Sequence, residues 1–146
     1  MKPTNTNEAT DIIIDDGKKT YNIRNHEGEI IGQFRLNPTD MNIRKRYEEA
    51  IEKLDHLSDM IDENKTTDEN FEMIEKFICD QMDYIFQSDV SGSFFSVVSP
   101  LSVMADGEDF FIKVLDAIGS VIQVSMKSAW DKADKKVSKY TKKYHA

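Results

Sequence analysis

A chain of 146 residues that is 39% hydrophobic and 32% charged is about one domain long and buries roughly two-thirds of the surface its unfolded form exposes. No apolar run nears the roughly 20 residues that cross a bilayer, and no signal-peptide core follows the polar start Met1-Lys2-Pro3-Thr4-Asn5, so an intracellular protein without a membrane span is expected. The net charge of −8 divides into +5 for residues 127–146 and −13 for the rest, which argues against general nucleic-acid affinity and leaves only the tail to seek an acidic partner.

Residues 1–10 are polar and read as a flexible N-terminus. Ile12-Ile13-Ile14 is a β-branched run closed by Asp15-Asp16-Gly17, a tight-turn signal. Tyr21 and Ile23 share one face, Asn25-His26-Glu27-Gly28 turns the chain, and Ile30, Gly32, Phe34 and Leu36 alternate onto one face again. The spacing predicts a β-hairpin within 11–36, with the Ile12 run as a candidate third strand. A lone hairpin is marginal in water, so its apolar face is expected on the helices or on a neighbouring molecule.

Asn37-Pro38-Thr39-Asp40 ends the strand, and Thr39 or Asp40 is placed to cap a helix. Ile43, Tyr47, Ala50, Ile51, Leu54, Leu57 and Ile61 follow in steps that match an a/d seam. Such a seam pairs with the next helix or with another copy of the chain in a homo-oligomer. It stops short of the three or four heptads of a free coiled coil, which favours the intramolecular partner. The short connection from Glu63 to Asp68 favours antiparallel neighbours.

Thr66 and Glu69 have capping-box spacing, and Phe71, Ile74, Ile78, Met82 and Ile85 form one apolar stripe that Phe77 and Phe86 widen. The turn formers Gln87 to Ser93 end this helix, and Phe94 and Phe95 follow at once. Ser96 to Ala105, with Pro100, is too apolar for a solvated linker; a short helix before Pro100 and a loop over the core both fit. Asp106-Gly107-Glu108-Asp109 opens a third long helix. Its residues Phe111, Val114, Leu115, Ile118, Val121, Ile122 and Met126 span a wide arc, so it is expected to be the most buried helix. Gly119 offers a close approach. Beyond Met126 the chain becomes a basic helix or tail, residues 127–146, with Trp130, Val137, Tyr140 and Tyr144 among lysines. The fold class is therefore α+β: a mainly helical domain of three long helices with an N-terminal β-hairpin, spanning 11–126 with its helical part at 37–126.

Catalytic chemistry is sought and not found. His26, His56 and His145 lack metal-ligand spacing, and no nucleophile or phosphate-loop motif is present. Ser91-Gly92-Ser93 is followed by no lysine at phosphate-loop distance. Cys79, the single cysteine, rules out an internal disulfide and reads as a buried or half-buried small side chain. No enzyme activity, cofactor or metal is expected.

The order of features resembles a known family. The stretch from Gly28 to Asp40, G-x-x-I-G-x-F-R-L-N-P-T-D, leads into a charged amphipathic helix. Next come a helix ending in Asp83-Tyr84-Ile85-Phe86, a small-residue loop, an aromatic pair, and a final apolar helix running into lysine-rich sequence. From about Tyr21 to Lys143 this is similar to the tail assembly chaperones of long-tailed, siphovirus-like phages and prophages. In that family glycine often follows the phenylalanine; here Gln87 stands there and Gly92 comes later.

The resemblance implies a non-enzymatic protein of the host cell cytoplasm, not expected in the mature virion, that binds the tape measure protein and keeps it soluble. It also implies a longer frameshifted form that recruits tail tube protein. Surplus amphipathic faces and the adaptable side chains of Met41, Met60, Met73, Met82, Met104 and Met126 suit that role. The partner-binding candidates are Phe94, Phe95, Met104, Trp130, Lys139, Tyr140, Lys143 and Tyr144. The alternative class is a small regulatory or adaptor protein whose lysine-rich tail binds nucleic acid, with the aromatic rings stacking on bases.

Overall fold

The computed structural model describes residues 9–145, with side chains described as far as Lys132. It is α+β: an antiparallel hairpin, β1 (Lys19–Arg24) and β2 (Ile30–Leu36), precedes four helices. These are α1 (Met41–Leu54), α2 (Thr67–Phe86), the short α3 (Ser91–Phe95) and α4 (Phe110–His145).

The hairpin folds as its alternation demands. Asn25 Oδ1 accepts from the amides of Glu27 and Glu29, both at 3.0 Å, and Gly28 supplies the positive φ of 83° that closes the turn. Tyr21 pairs with Phe34 and Ile23 with Gly32, so one face presents a stacked Tyr21–Phe34 pair, 5.2 Å between ring centroids, to the helices. At Gly32 a Cβ would stand 3.2 Å from the carbonyl oxygen of Phe94. The missing side chain is what lets α3 rest its backbone on the hairpin.

The third strand does not form. Ile12, Ile13 and Ile14 lie outside any strand, and Ile13 is 93% exposed. The Asp15-Asp16-Gly17 signal yields local bonds and not a tight turn: Asp15 and Asp16 each accept from the amide two residues on, at 2.9 Å, and Gly17 has φ 83°, yet the chain makes no turn or bend there. Strand pairing also needs a buried face, and this run has none.

Asp40 caps α1 by accepting from the Asn42 amide at 2.9 Å. The helix stops at Leu54, earlier than the apolar seam suggested; a 3-10 turn carries Leu57 to Met60, and Ile61 points to solvent. Asn70 fixes this connection, accepting from the Asp62 amide at 3.0 Å and donating to its carbonyl at 3.1 Å. The capping box is present in full: Thr66 accepts from the Glu69 amide while Glu69 accepts from the Thr66 amide, both at 3.1 Å. Those bonds hold the Glu69 carboxyl below its usual pKa. Ile74, Ile78, Met82 and Ile85 are buried as the stripe predicts, but Phe71 is 54% exposed. It is the fifth residue of α2, near the helix's start, where the stripe has run past the core.

The α1–α2 interface is held at one end by polar contacts. The guanidinium of Arg46 donates to the Ile85 carbonyl at 2.8 Å, satisfying one of the carbonyls a helix end leaves free. Tyr84 donates its hydroxyl to Glu49, which raises the phenol's pKa, and the Lys53 amine lies 5.3 Å over its ring.

The helix α2 ends in a left-handed residue, Gln87, at φ 52°. The Ser88 amide reaches back to the Asp83 carbonyl and the Gln87 amide to that of Tyr84, both at 3.2 Å, which is the Schellman arrangement. Glycine would adopt this conformation without strain; Gln87 does so while its side chain donates to Tyr84 O at 3.1 Å. The turn-forming run is shorter than expected, because α3 begins at Ser91.

Past Pro100, which is buried, the chain lies over the core as a loop. Asp106 to Asp109 form a turn rather than the first helical residues: Gly107 has φ 89°, Met104 donates to Glu108 O at 2.7 Å, and Val103 bridges Asp109. The Lys113 amine pairs with Asp106, lowering that carboxyl's pKa and raising its own. From Phe110 the helix α4 runs unbroken to His145 and buries Phe110, Phe111, Val114, Leu115, Ile118, Ile122 and Met126. It is the most deeply set helix, and Phe110 joins the expected arc.

Candidate functional site

The expected contact residues occupy different layers. Phe94 is fully buried, its ring centroid 5.5 Å from Phe34, 5.4 Å from Phe86 and 6.0 Å from Phe95. It is the keystone between hairpin, α2 and α3 and offers no surface to a partner in this conformation. Phe95 is half-buried and meets Phe110 edge-on at 6.0 Å. Met104, in the loop before α4, is half-buried against the core. Trp130 is 57% exposed on α4. Lys139, Tyr140, Lys143 and Tyr144 lie on the helical course of α4, but their side chains are outside the described residues.

Asp83, at the head of the Asp-x-x-Phe stretch, has a physical role. Its Oδ1 accepts from the amides of Val90 and Ser91 at 2.8 and 2.7 Å, and its Oδ2 from the Ser91 hydroxyl at 3.3 Å. One carboxylate therefore closes the α2–α3 loop and presents Phe94 to the hairpin. Nearby Cys79 has its thiol pKa raised by partial burial first and then by Glu75 and Asp83, which disfavours the thiolate.

Two grooves lie along the seam between α1 and α4. One, ≈ 470 Å³, is floored by Ile51, Leu54, Leu57, Phe111, Ile112 and Leu115 and edged by Asp55, Asp109 and Asp116. The other, ≈ 370 Å³, lies between Arg44, Tyr47 and Glu48 of α1 and Gly119, Ile122, Gln123, Met126 and Trp130 of α4. These linings show the two helices antiparallel, with Tyr47 at the divide. Its hydroxyl donates to the Leu115 carbonyl at 2.8 Å, and its ring occupies the space a side chain on residue 119 would need. Gly119 thus admits an aromatic ring rather than a helix. Burial first, and Asp116 second, raise the Tyr47 pKa.

A third groove, ≈ 440 Å³, adjoins the first at Asp109 and is lined by Phe71, Glu75, Ser99, Leu101, Ser102 and Val103. Sequence periodicity missed it, since Phe71 looked like core and Val103 like a loop residue. Phe71 and Val103 in this groove are exposed, as are Ile12–Ile14 and Ile61 elsewhere on the surface.

Among the described residues no cluster of three or more histidines, cysteines or carboxylates stands where it could hold a metal ion. His26 and His56 are exposed, His56 lying 3.6 Å from Asp59. No helix of the described residues is long and apolar enough to cross a membrane. Compared with family models, curated protein sequences and solved structures, the chain matches none.

Proposed function

We propose that this chain is a non-enzymatic binding protein that shields apolar helical segments of a partner, as the phage tail assembly chaperones it resembles do for the tape measure protein. The observation that supports this most is the groove of Phe71, Leu101 and Val103, an apolar surface edged by two serines and by the carboxylates of Glu75 and Asp109. It suits the hydrophobic face of an amphipathic helix seated by i, i+4 anchors. The phage setting rests on the sequence resemblance alone, and so do the host cytoplasm, the absence from the mature virion and the frameshifted form that would engage tail tube protein.

Co-expression with a tape measure protein from the same operon is the direct test. Soluble tape measure protein is expected to rise, and the two to co-purify. The double substitution Phe71→Asp with Val103→Asp is expected to abolish this without unfolding the body, because both side chains are exposed. Failure of the unmodified pair to co-purify, with no change in solubility, would overturn the reading. Salt-sensitive retention of DNA or RNA in its place would support the adaptor reading.

A further inference from the structure

The two grooves of the α1/α4 seam share one line of α4. Ile112, Asp116, Gly119, Gln123, Met126 and Trp130 recur in alternating steps of four and three, so they mark a single track about 27 Å long on the helix surface. The charge along it is uneven. At the Trp130 end Arg44 and Glu48 pair with each other at 3.2 Å. At the Ile112 end stand Asp55, Asp109 and Asp116, none with an ion-pair partner among the described residues. The nearby cation, Lys113, is engaged by Asp106 and Glu108.

An apolar floor edged by carboxylates fits a lysine-rich helix, and this chain carries one: α4 runs on to His145, and residues 127–146 carry a net charge of +5. The helix α4 is continuous to His145, so within one molecule Lys139 lies about 35 Å along the axis from Asp116. The tail therefore cannot fold onto its own groove. A second copy laid antiparallel brings its tail to the acidic end, and the same operation returns the first copy's tail to the second, so both contacts form at once around a two-fold axis.

We propose that the chain forms a symmetric dimer in which the C-terminal half of α4 from each copy lies antiparallel along the α1/α4 groove of the other, so that its lysine-rich stretch runs past Asp55, Asp109 and Asp116. The two-fold axis then falls near Met126, and Trp130 lies about 5 Å from it along α4, within the interface. This inference does not rest on the proposed partner, and its groove meets the one assigned to that partner only at Asp109.

Sedimentation of the full chain across protein concentrations tests it, with Trp130, the single tryptophan, as a second readout. At low salt a dimer is expected, and the tryptophan emission shifts to shorter wavelength as it forms. In about 1 M salt, where the Debye length falls to roughly 3 Å, the dimer constant weakens about tenfold or more. Lys139→Glu with Lys143→Glu gives a monomer of unchanged helicity, and adding Asp109→Lys with Asp116→Lys in the same chain restores the dimer. A monomer at every concentration in low salt would overturn the proposal and leave the groove to a basic segment of another protein. A dimer indifferent to the lysine reversals would place the interface elsewhere and overturn it equally.

Discussion

Replacing Phe94 by alanine tests the reading of the core most directly. The ring has no exposed area and three aromatic neighbours within 6.0 Å, and α3's backbone is seated on Gly32 above it, so the cavity has little freedom to collapse. Buried Phe→Ala changes cost 3–5 kcal/mol, and the closeness of α3 to the hairpin argues for the middle of that range, about 4 kcal/mol. With a urea slope of about 2 kcal/mol per molar, the unfolding midpoint falls by about 2 M. Against a total stability of roughly 5–15 kcal/mol, that leaves a weakly folded protein. Phe95→Ala is the internal control: its half-buried ring touches Phe94 and Phe110, and a loss of about 2 kcal/mol is expected. Urea titration followed by far-ultraviolet circular dichroism measures both. If Phe94→Ala costs less than about 1 kcal/mol, or no more than Phe95→Ala, Phe94 is not the keystone of the core.

Four further outcomes follow from particular residues. Gln87→Gly relieves the left-handed conformation and is expected to raise stability by about 0.5–1 kcal/mol in the same titration; a loss would mean that the side-chain bond to Tyr84 O outweighs the strain. Asp83→Ala removes the acceptor of two amides and is expected to cost about 2 kcal/mol, with amide exchange quickening first at Val90 and Ser91. Tyr47→Phe loses the bond to Leu115 O, at about 1 kcal/mol near neutral pH. Because the folded protein raises the Tyr47 pKa above 10.0, this contribution is complete below the unfolded pKa and disappears as pH rises through the folded one. The gap between parent and Tyr47→Phe should therefore narrow above about pH 10, and a gap that widens there would contradict the assignment. Gln81 is buried with Oε1 unpartnered, so Gln81→Met is expected to be neutral or stabilising by up to about 1 kcal/mol; a marked loss of melting temperature would reveal a bond the geometry does not show.

The residues alone determined what depends on neighbours a few positions away. The Thr66–Glu69 capping box, the Asp40 cap and the Asn25–Gly28 turn are satisfied by groups within four residues, and the alternation of β2 and the α4 arc need only the strand and helical periods. The α+β class follows from those signals together. Tertiary packing decided the rest, because an apolar stripe says which side of a helix is greasy and not how far the covering surface extends. Phe71 and Ile61 lie past that edge and are exposed, Ile12–Ile14 found no face to cover, and of two adjacent phenylalanines the one over Gly32 became core. Gln87 holds a left-handed position because Asp83 draws the following loop back on itself. The grooves along α1 and α4 belong to neither helix alone: each is space left between two surfaces whose separation is set by Tyr47 lodged against Gly119.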